Sequence, residues 1–352
     1  MQGVHSLVTV AIPTLNAGPG FAQTLTAVRA QRIDRGIELL VCDSGSSDQT
    51  VSLARSYGAE VLEIPPESFS HGGTRNVLMR LARGTHVAFL TQDAVPAAED
   101  WLAQLLEAFS LAQNVGLAFG PYHARPGASP SVVRELTTWF DSFSVGDPRI
   151  DVLDPAEMDA SPRHFLGRLG FFTDANGCVA RAAWEQVPFR PVPYAEDHML
   201  AQDMLRAGFA KVYVPAAGVI HSHEYSSLEW MRRSFDEARA IRQVYGFALD
   251  PRSAARNVRG GVMADWRWAR ASGSGPRSGS GSGGGLRWEQ IPGLIASLAH
   301  HGARATGTLL GAHAGRLPAS VVARLSLEGR AVSSRGGATV AAAKSEDRQQ
   351  KR

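Results

Sequence analysis

Asp43, Asp93, Glu196 and Asp197 stand where the chain's pattern makes carboxylates useful. Asp43 closes an apolar run at 37–42 (IELLVC), and Asp93 follows another at 85–91 (THVAFLT). A charge at the end of a buried strand can hold a hard cation through oxygen, accept an N–H from a ligand, or cap the next helix. Glu196 and Asp197 open a segment with helical periodicity, 195–207. A positioned carboxylate can take the proton of an attacking hydroxyl. The helix dipole alone would also favour two acids at that end. His221 and His223 flank Ser222 on an extended segment, so their side chains project to one side. Imidazole is a common metal ligand, and a purely structural pair is the other reading. No third and fourth ligands stand nearby for a dedicated zinc site.

A second group is suited to phosphate. Arg75 and Asn76 stand in the first turn of a helix that opens within 70–76, just after His71 and Gly72. Arginine forks onto phosphate oxygens, and the helix end adds a favourable field. A surface ion pair for Arg75 is the alternative. Asp48 stands just before a helix and reads as its N-cap. Asn16, beside Gly18, suits a turn.

The elements that must position these residues follow from hydrophobic pattern. Apolar runs at 7–12, 37–42, 60–64 and 85–91 read as strands, and helices are expected at 20–31, 49–57, 70–83 and 99–110. Strand–helix alternation with short loops means a parallel sheet covered by helices on both faces. Ligands in such sheets sit at the carboxyl ends of the strands, where the loops carrying Thr14, Asp43 and Asp93 should converge. Between 115 and 220 helices are fewer. Strand pieces are expected at 115–119, 178–180 and 211–214, and a loop with short helix at 145–170. A long arginine-rich helix is expected at 226–245.

Residues 8–18 (VTVAIPTLNAG) and 37–50 (IELLVCDSGSSDQT) resemble the opening of family 2 glycosyltransferases. The resemblance extends over about residues 6–245. Residues 69–76 (FSHGGTRN) with 91–94 (TQDA) resemble the rhamnosyltransferase branch in particular. It implies a GT-A fold, an α/β nucleotide-diphospho-sugar transferase architecture with a largely parallel mixed sheet and a helical C-terminal extension. It implies an inverting transferase that moves a sugar, L-rhamnose from dTDP-rhamnose in that branch, onto a cell-surface glycan or lipid-linked acceptor. Asp43 would accept the imide N–H of thymine or uracil, with Thr14 and Asn16 lining the base and ribose pocket. His71, Arg75, Asn76 and Gln92 complete the donor-binding set. Asp93 would hold Mg2+ or Mn2+ on the diphosphate, joined by His221 or His223. The fold usually has Asp-x-Asp here. This chain has Gln92, Asp93 and Ala94, so one acid remains. Asp197 matches the family's general base and Glu196 its neighbour. The segment 176–178 (NGC) resembles the acceptor-side segment.

Two other readings compete. A nucleotidyltransferase shares the layout but carries a basic residue in the loop after its first strand, and 14–20 (TLNAGPG) has no Lys or Arg. A non-catalytic glycan or nucleotide-binding module would have no need of Asp43, Asp93 and Asp197 together.

The 352 residues suit one catalytic domain with an appendage, and 44% hydrophobic content supports a large core. Cys42 and Cys178 have neither metal nor disulfide spacing and read as buried thiols in a reducing compartment. No signal peptide and no 18-residue apolar stretch are evident. Residues 1–250 carry 20 basic and 28 acidic side chains, a net of −8, whereas 251–352 carry 16 and 5, a net of +11. The expected organisation is a catalytic domain at 1–250 and a helical extension at 251–271. A Gly/Ser linker at 272–285, short amphipathic helices at 286–330 broken at Pro292, Gly302 and Pro318, and a disordered tail at 331–352 follow. Location in the cytoplasm, with the basic tail touching the inner membrane face, is the expectation, and nucleic acid is not expected as a partner.

Overall fold

The computed structural model describes residues 7–192, 194–248, 250–271 and 291–327. The chain divides into two compact units, Met1–His223 and Glu224–Arg352. The linker expected at 272–285 and the tail expected at 331–352 lie outside the described residues.

The first unit begins with β1 (Val8–Thr14), α1 (Phe21–Arg29), β2 (Ile37–Asp43), α2 (Thr50–Ser56), β3 (Glu60–Glu63), α3 (His71–Leu81) and β4 (His86–Leu90). It continues through β5 (Val95–Pro96), α4 (Trp101–Glu107), β6 (Val115–Phe119), β7 (Tyr122–His123), α5 (Pro130–Asp141) and β8 (Arg149–Asp151). It ends with β9 (Asn176–Ala180), α6 (Arg181–Gln186), α7 (Glu196–Arg206), β10 (Ala210–Tyr213) and β11 (Val219–Ile220).

One sheet runs in the order β3-β2-β1-β4-β9-β6-β10-β8. β3, β2, β1 and β4 are mutually parallel, β6 and β10 are parallel, and β9 and β8 run against their neighbours. This is the largely parallel mixed GT-A sheet. Side-chain alternation along β1 feeds two cores. Val8, Val10 and Ile12 join Phe21, Leu25, Trp101 and Leu105 on one face. Ala11 joins Leu78, Phe89, Phe119, Leu200 and Met204 on the other. Pro13 lacks a ladder donor, and it falls past Ala11, the last β1 residue that β4 pairs. Cys42 and Cys178 are buried free thiols, and burial pushes Cys42 up to about 11.

In a small second sheet, β5-β11-β7, only β11 answers to a strand read from the sequence, near Val219. Its strands are two residues long, too short for any periodicity to register. Helix α5 also lies in a stretch expected to hold few helices. Its start signal is there in Ser129 followed by Pro130, a preferred residue in a helix's first turn.

The second unit contains α8 (Ser227–Tyr245), α9 (Pro251–Ala271), α10 (Ile291–Ala312) and α11 (Ala319–Leu325). Ser226 and Glu229 close a reciprocal cap at the start of α8, and Gly246 ends it in the left-handed region at φ 64°. The break expected at Gly302 does not occur, because α10 runs unbroken through it. An interior glycine costs only about 1 kcal/mol, which packing outweighs. At Gly307 a Cβ would stand 2.0 Å from the Met231 carbonyl oxygen, so α10 approaches the α8 backbone where only glycine fits. No described helix is long and apolar enough to cross a membrane.

Candidate active site

Three loops at the carboxyl ends of β1, β2 and β4 are tied together. The Asp43 carboxylate accepts from the Thr14 hydroxyl at 2.8 Å, from the Ser46 hydroxyl at 2.6 Å, and from the amides of Gly45 and Ser46 at 3.1 and 2.8 Å. It is 1% exposed. Its acceptor positions are filled, so contact with a base imide requires one of these donors to be displaced. Asn16, at φ 46°, accepts from the Ser47 amide at 2.8 Å. Asp48 accepts from the Thr50 amide and hydroxyl at the start of α2 and from the Gly18 amide, and the Thr50 hydroxyl foremost holds its carboxyl below the usual range. Gln92, expected on the donor, instead clamps the backbone of Leu15 through both ends of its amide, at 2.9 and 3.2 Å. That bond registers the β1 loop against the β4 loop and so fixes where Asp93 begins.

Asp93, His221 and His223 converge, although 128 and 130 residues separate the histidines from the aspartate. The small sheet causes this. β5 begins two residues after Asp93 and pairs antiparallel with β11, which ends one residue before His221. His221 Nδ1 lies 3.5 Å from one carboxylate oxygen of Asp93, and His223 Nε2 lies 3.7 Å from the other. One ligand atom from each of the three falls within 4.8 Å of the others. His221 is 9% exposed and its Nδ1 is buried without a hydrogen-bond partner. Burial pushes the imidazole down, which favours the neutral form with a lone pair to give. A carboxylate with two imidazoles, one carrying an orphaned buried nitrogen, fits a divalent cation. Ser222 points the other way and accepts from the Arg125 amide at 3.0 Å. The Arg125 guanidinium donates to the Asp93 carbonyl and stands 3.8 Å from its carboxylate. Arg125, half-exposed and in a loop with no helical or strand pattern, was not singled out from sequence.

Arg75 does something other than the sequence suggests. Its side chain is 4% exposed and forks onto Asp174, with Nε 2.5 Å from one carboxylate oxygen and Nη2 2.8 Å from the other. Nη1 donates to Glu196 at 3.1 Å and to the His71 carbonyl. The expected phosphate contact is therefore corrected to a buried ion-pair network, because the α3 turn aims this arginine inward beneath α7. Asn76 is likewise engaged. Its amide donates to the Phe189 carbonyl and accepts from the Trp184 indole and the Phe189 amide, at 2.8 to 3.1 Å. His71 remains a third exposed, with Nδ1 3.8 Å from Glu196. At Gly72 a Cβ would meet the Arg190 carbonyl oxygen at 2.2 Å, so only glycine lets α3 press against this region. Asp174 was not singled out from sequence, because nothing in 171–174 (FFTD) marks an acid that buries.

Asp197 sits beside this network. It follows Ala195, whose left-handed φ of 61° breaks the chain sharply into α7, and its carboxylate accepts from the His198 amide at 2.8 Å. Burial and the neighbouring Asp174 push its carboxyl up. Burial also raises Glu196, against the pull of Arg75, and takes Asp174 to about 7. Arg75 faces Asp174 and Glu196 with Asp197 close by, so the three carboxyls compete for its charge while burial favours their protonated forms. Asn176, from the segment likened to the acceptor side, is fully buried. It bonds the Trp101 indole and the carbonyls of Pro121 and Ala217, which makes it a brace between sheet and loops.

The description "Glycosyl transferase family 2" matches residues 9–169. The chain is 31% identical over 234 residues to the O-antigen chain rhamnosyltransferase RfbN of Salmonella typhimurium, covering 65% of this chain and 70% of that protein. It is 28% identical over 235 residues to the O-antigen chain rhamnosyltransferase WbaN of Salmonella anatum, with the same shares. In fold it is similar to the mannosyltransferase PcManGT from Pyrobaculum calidifontis, solved with GDP-Man and Mn2+, at TM-score 0.52 and 19% identity over 87% of this chain and 86% of that one.

Proposed function

The chain belongs to glycosyl transferase family 2, and from that premise we propose that it is an inverting, metal-assisted transferase of L-rhamnose from dTDP-rhamnose to a glycan or lipid-linked acceptor. The competing readings as a nucleotidyltransferase or a passive binding module give way to that membership. The observation that carries the proposal is the convergence of Asp93, His221 and His223 at the carboxyl end of the sheet. Mg2+ or Mn2+ held there would neutralise charge growing on the leaving diphosphate.

The chain's own residues supply the rest. Arg125, beside Asp93, takes the phosphate-facing role first expected of Arg75. Thr14, Asn16 and the Asp43-organised loop shape the base pocket, and His71 borders it. Asp197 removes the proton of the acceptor hydroxyl, and its raised pKa brings it toward the range where a general base works. Attack opposite the diphosphate inverts the anomeric centre. Glu196 and Arg75 hold the start of α7 in place. The rhamnose and thymidine assignments rest on the two rhamnosyltransferase relatives, as does a cell-envelope polysaccharide as the product. The basic C-terminal region would keep the enzyme at the inner membrane face.

Thermal stabilisation by dTDP, UDP, GDP and CMP, each with Mn2+ or with chelator, tests this reading. The expected result is a Mn2+-dependent rise with dTDP foremost. A rise with UDP foremost removes the rhamnose assignment, and no rise with any nucleotide contradicts the donor site.

A further inference from the structure

Helix α9 carries five arginines, Arg252, Arg256, Arg259, Arg267 and Arg270, all exposed. Their spacings of four, three, eight and three residues place them within about 80° of arc at 3.6 residues per turn. Met263, 39% exposed, fills the gap between Arg259 and Arg267 on the same stripe. The stripe is about 27 Å long at 1.5 Å per residue. Its only intervening acid is Asp265, which lies on the opposite face. There it is 8% exposed and accepts from the Ser297 hydroxyl at 2.6 Å and sits 2.9 Å from His301 Nε2. α10 therefore occupies the back of α9 and leaves the arginine face outward. Arg270 lies over the Trp266 ring at 4.8 Å, and Arg256 donates to Ser253 at 2.6 Å, so both side chains are held along the helix.

We propose that this arginine stripe of α9 docks on an anionic lipid surface through its headgroup phosphates. It deepens the membrane contact within the reading above by assigning it to α9 in place of the residues beyond 271. The charge is complementary, and five guanidiniums in a row match a plane of phosphates. Met263, exposed within the stripe, suits an interface with an apolar layer beneath the headgroups. A nucleic-acid backbone offers the guanidiniums phosphates but gives Met263 no apolar layer. The first 250 residues, at a net of −8, would be repelled by any polyanion, so the contact falls to the basic helix.

The test is sedimentation of the full chain with vesicles of phosphatidylcholine alone or with phosphatidylglycerol added, at low and raised salt. It needs neither donor nor metal, so its failure is separable from failure of the glycosyl-transfer reading. Binding only to the phosphatidylglycerol vesicles, weakening with salt, is expected. Arg256→Gln with Arg259→Gln and Arg267→Gln should weaken it about 100-fold, at roughly five-fold per arginine. The melting temperature should stay unchanged, because these side chains are exposed. A control with Arg335, Lys344 and Lys351 changed to Gln should bind as the parent does. Equal binding by the α9 variant, loss of binding in the control alone, or tighter retention by a DNA duplex than by the vesicles would each overturn the proposal.

Discussion

Asp197 and Asp174 lie side by side and carry different burdens. Asp197 is proposed to take a proton from the acceptor, so Asp197→Asn should cut transfer by about 100- to 10,000-fold. Its donor affinity should stay close to the parent's, because the ligands of the phosphate end are elsewhere. Initial rates together with calorimetric donor binding check this, and joint loss of both would remove Asp197 from the base role. Asp174 is held at about 7, chiefly by burial, against roughly 3.9 for an unfolded aspartate. A raised folded pKa adds stability that is whole below the unfolded value and is lost as pH rises through the folded one. Asp174→Asn should therefore remove a fall in melting temperature between about pH 4 and pH 7. A parent and variant with parallel pH profiles would contradict a raised Asp174 carboxyl.

At the scale of elements, glycine marks where two backbones touch. Gly307→Ala would bring a methyl against the Met231 carbonyl oxygen, and overpacking of this kind costs about 1–3 kcal/mol. Denaturant unfolding should show that loss, and an unchanged midpoint would mean that the helices are not this close. The long elements were legible because their periods are: β1, β2 and β4 lie within two residues of the apolar runs, and the helix opening at Glu196 was anticipated. Asp93, His221 and His223 were singled out by residue type and by the family resemblance, whereas the pairing of β5 with β11 that brings them together has no pattern to announce it. Arg75 and Asn76 show the opposite failure. Their types and their place at a helix start suit phosphate equally well, and only the packing of α3 against α7 and the 184–189 segment turns them inward. Gln92 likewise reads as a ligand until its amide is seen closing on Leu15. Asp174 gave no signal, since a buried acid and a surface acid look alike in a sequence.

Over the whole molecule, chemistry and charge are segregated. The first compact unit holds every residue proposed to act on the donor and acceptor, while the positive charge gathers after residue 250. Family 2 membership fixes the class of reaction. The manner of donor binding rests on the site at the ends of β4 and β11. Calorimetric titration of dTDP into the parent and into Asp93→Ala, each with Mn2+ and with chelator, tests that directly. The parent should bind more tightly with Mn2+ than with chelator. Asp93→Ala should lose that difference and match the parent in chelator. An equal loss of affinity for Asp93→Ala in both conditions would show that Asp93 supports binding without holding an ion, and would contradict the metal-assisted account.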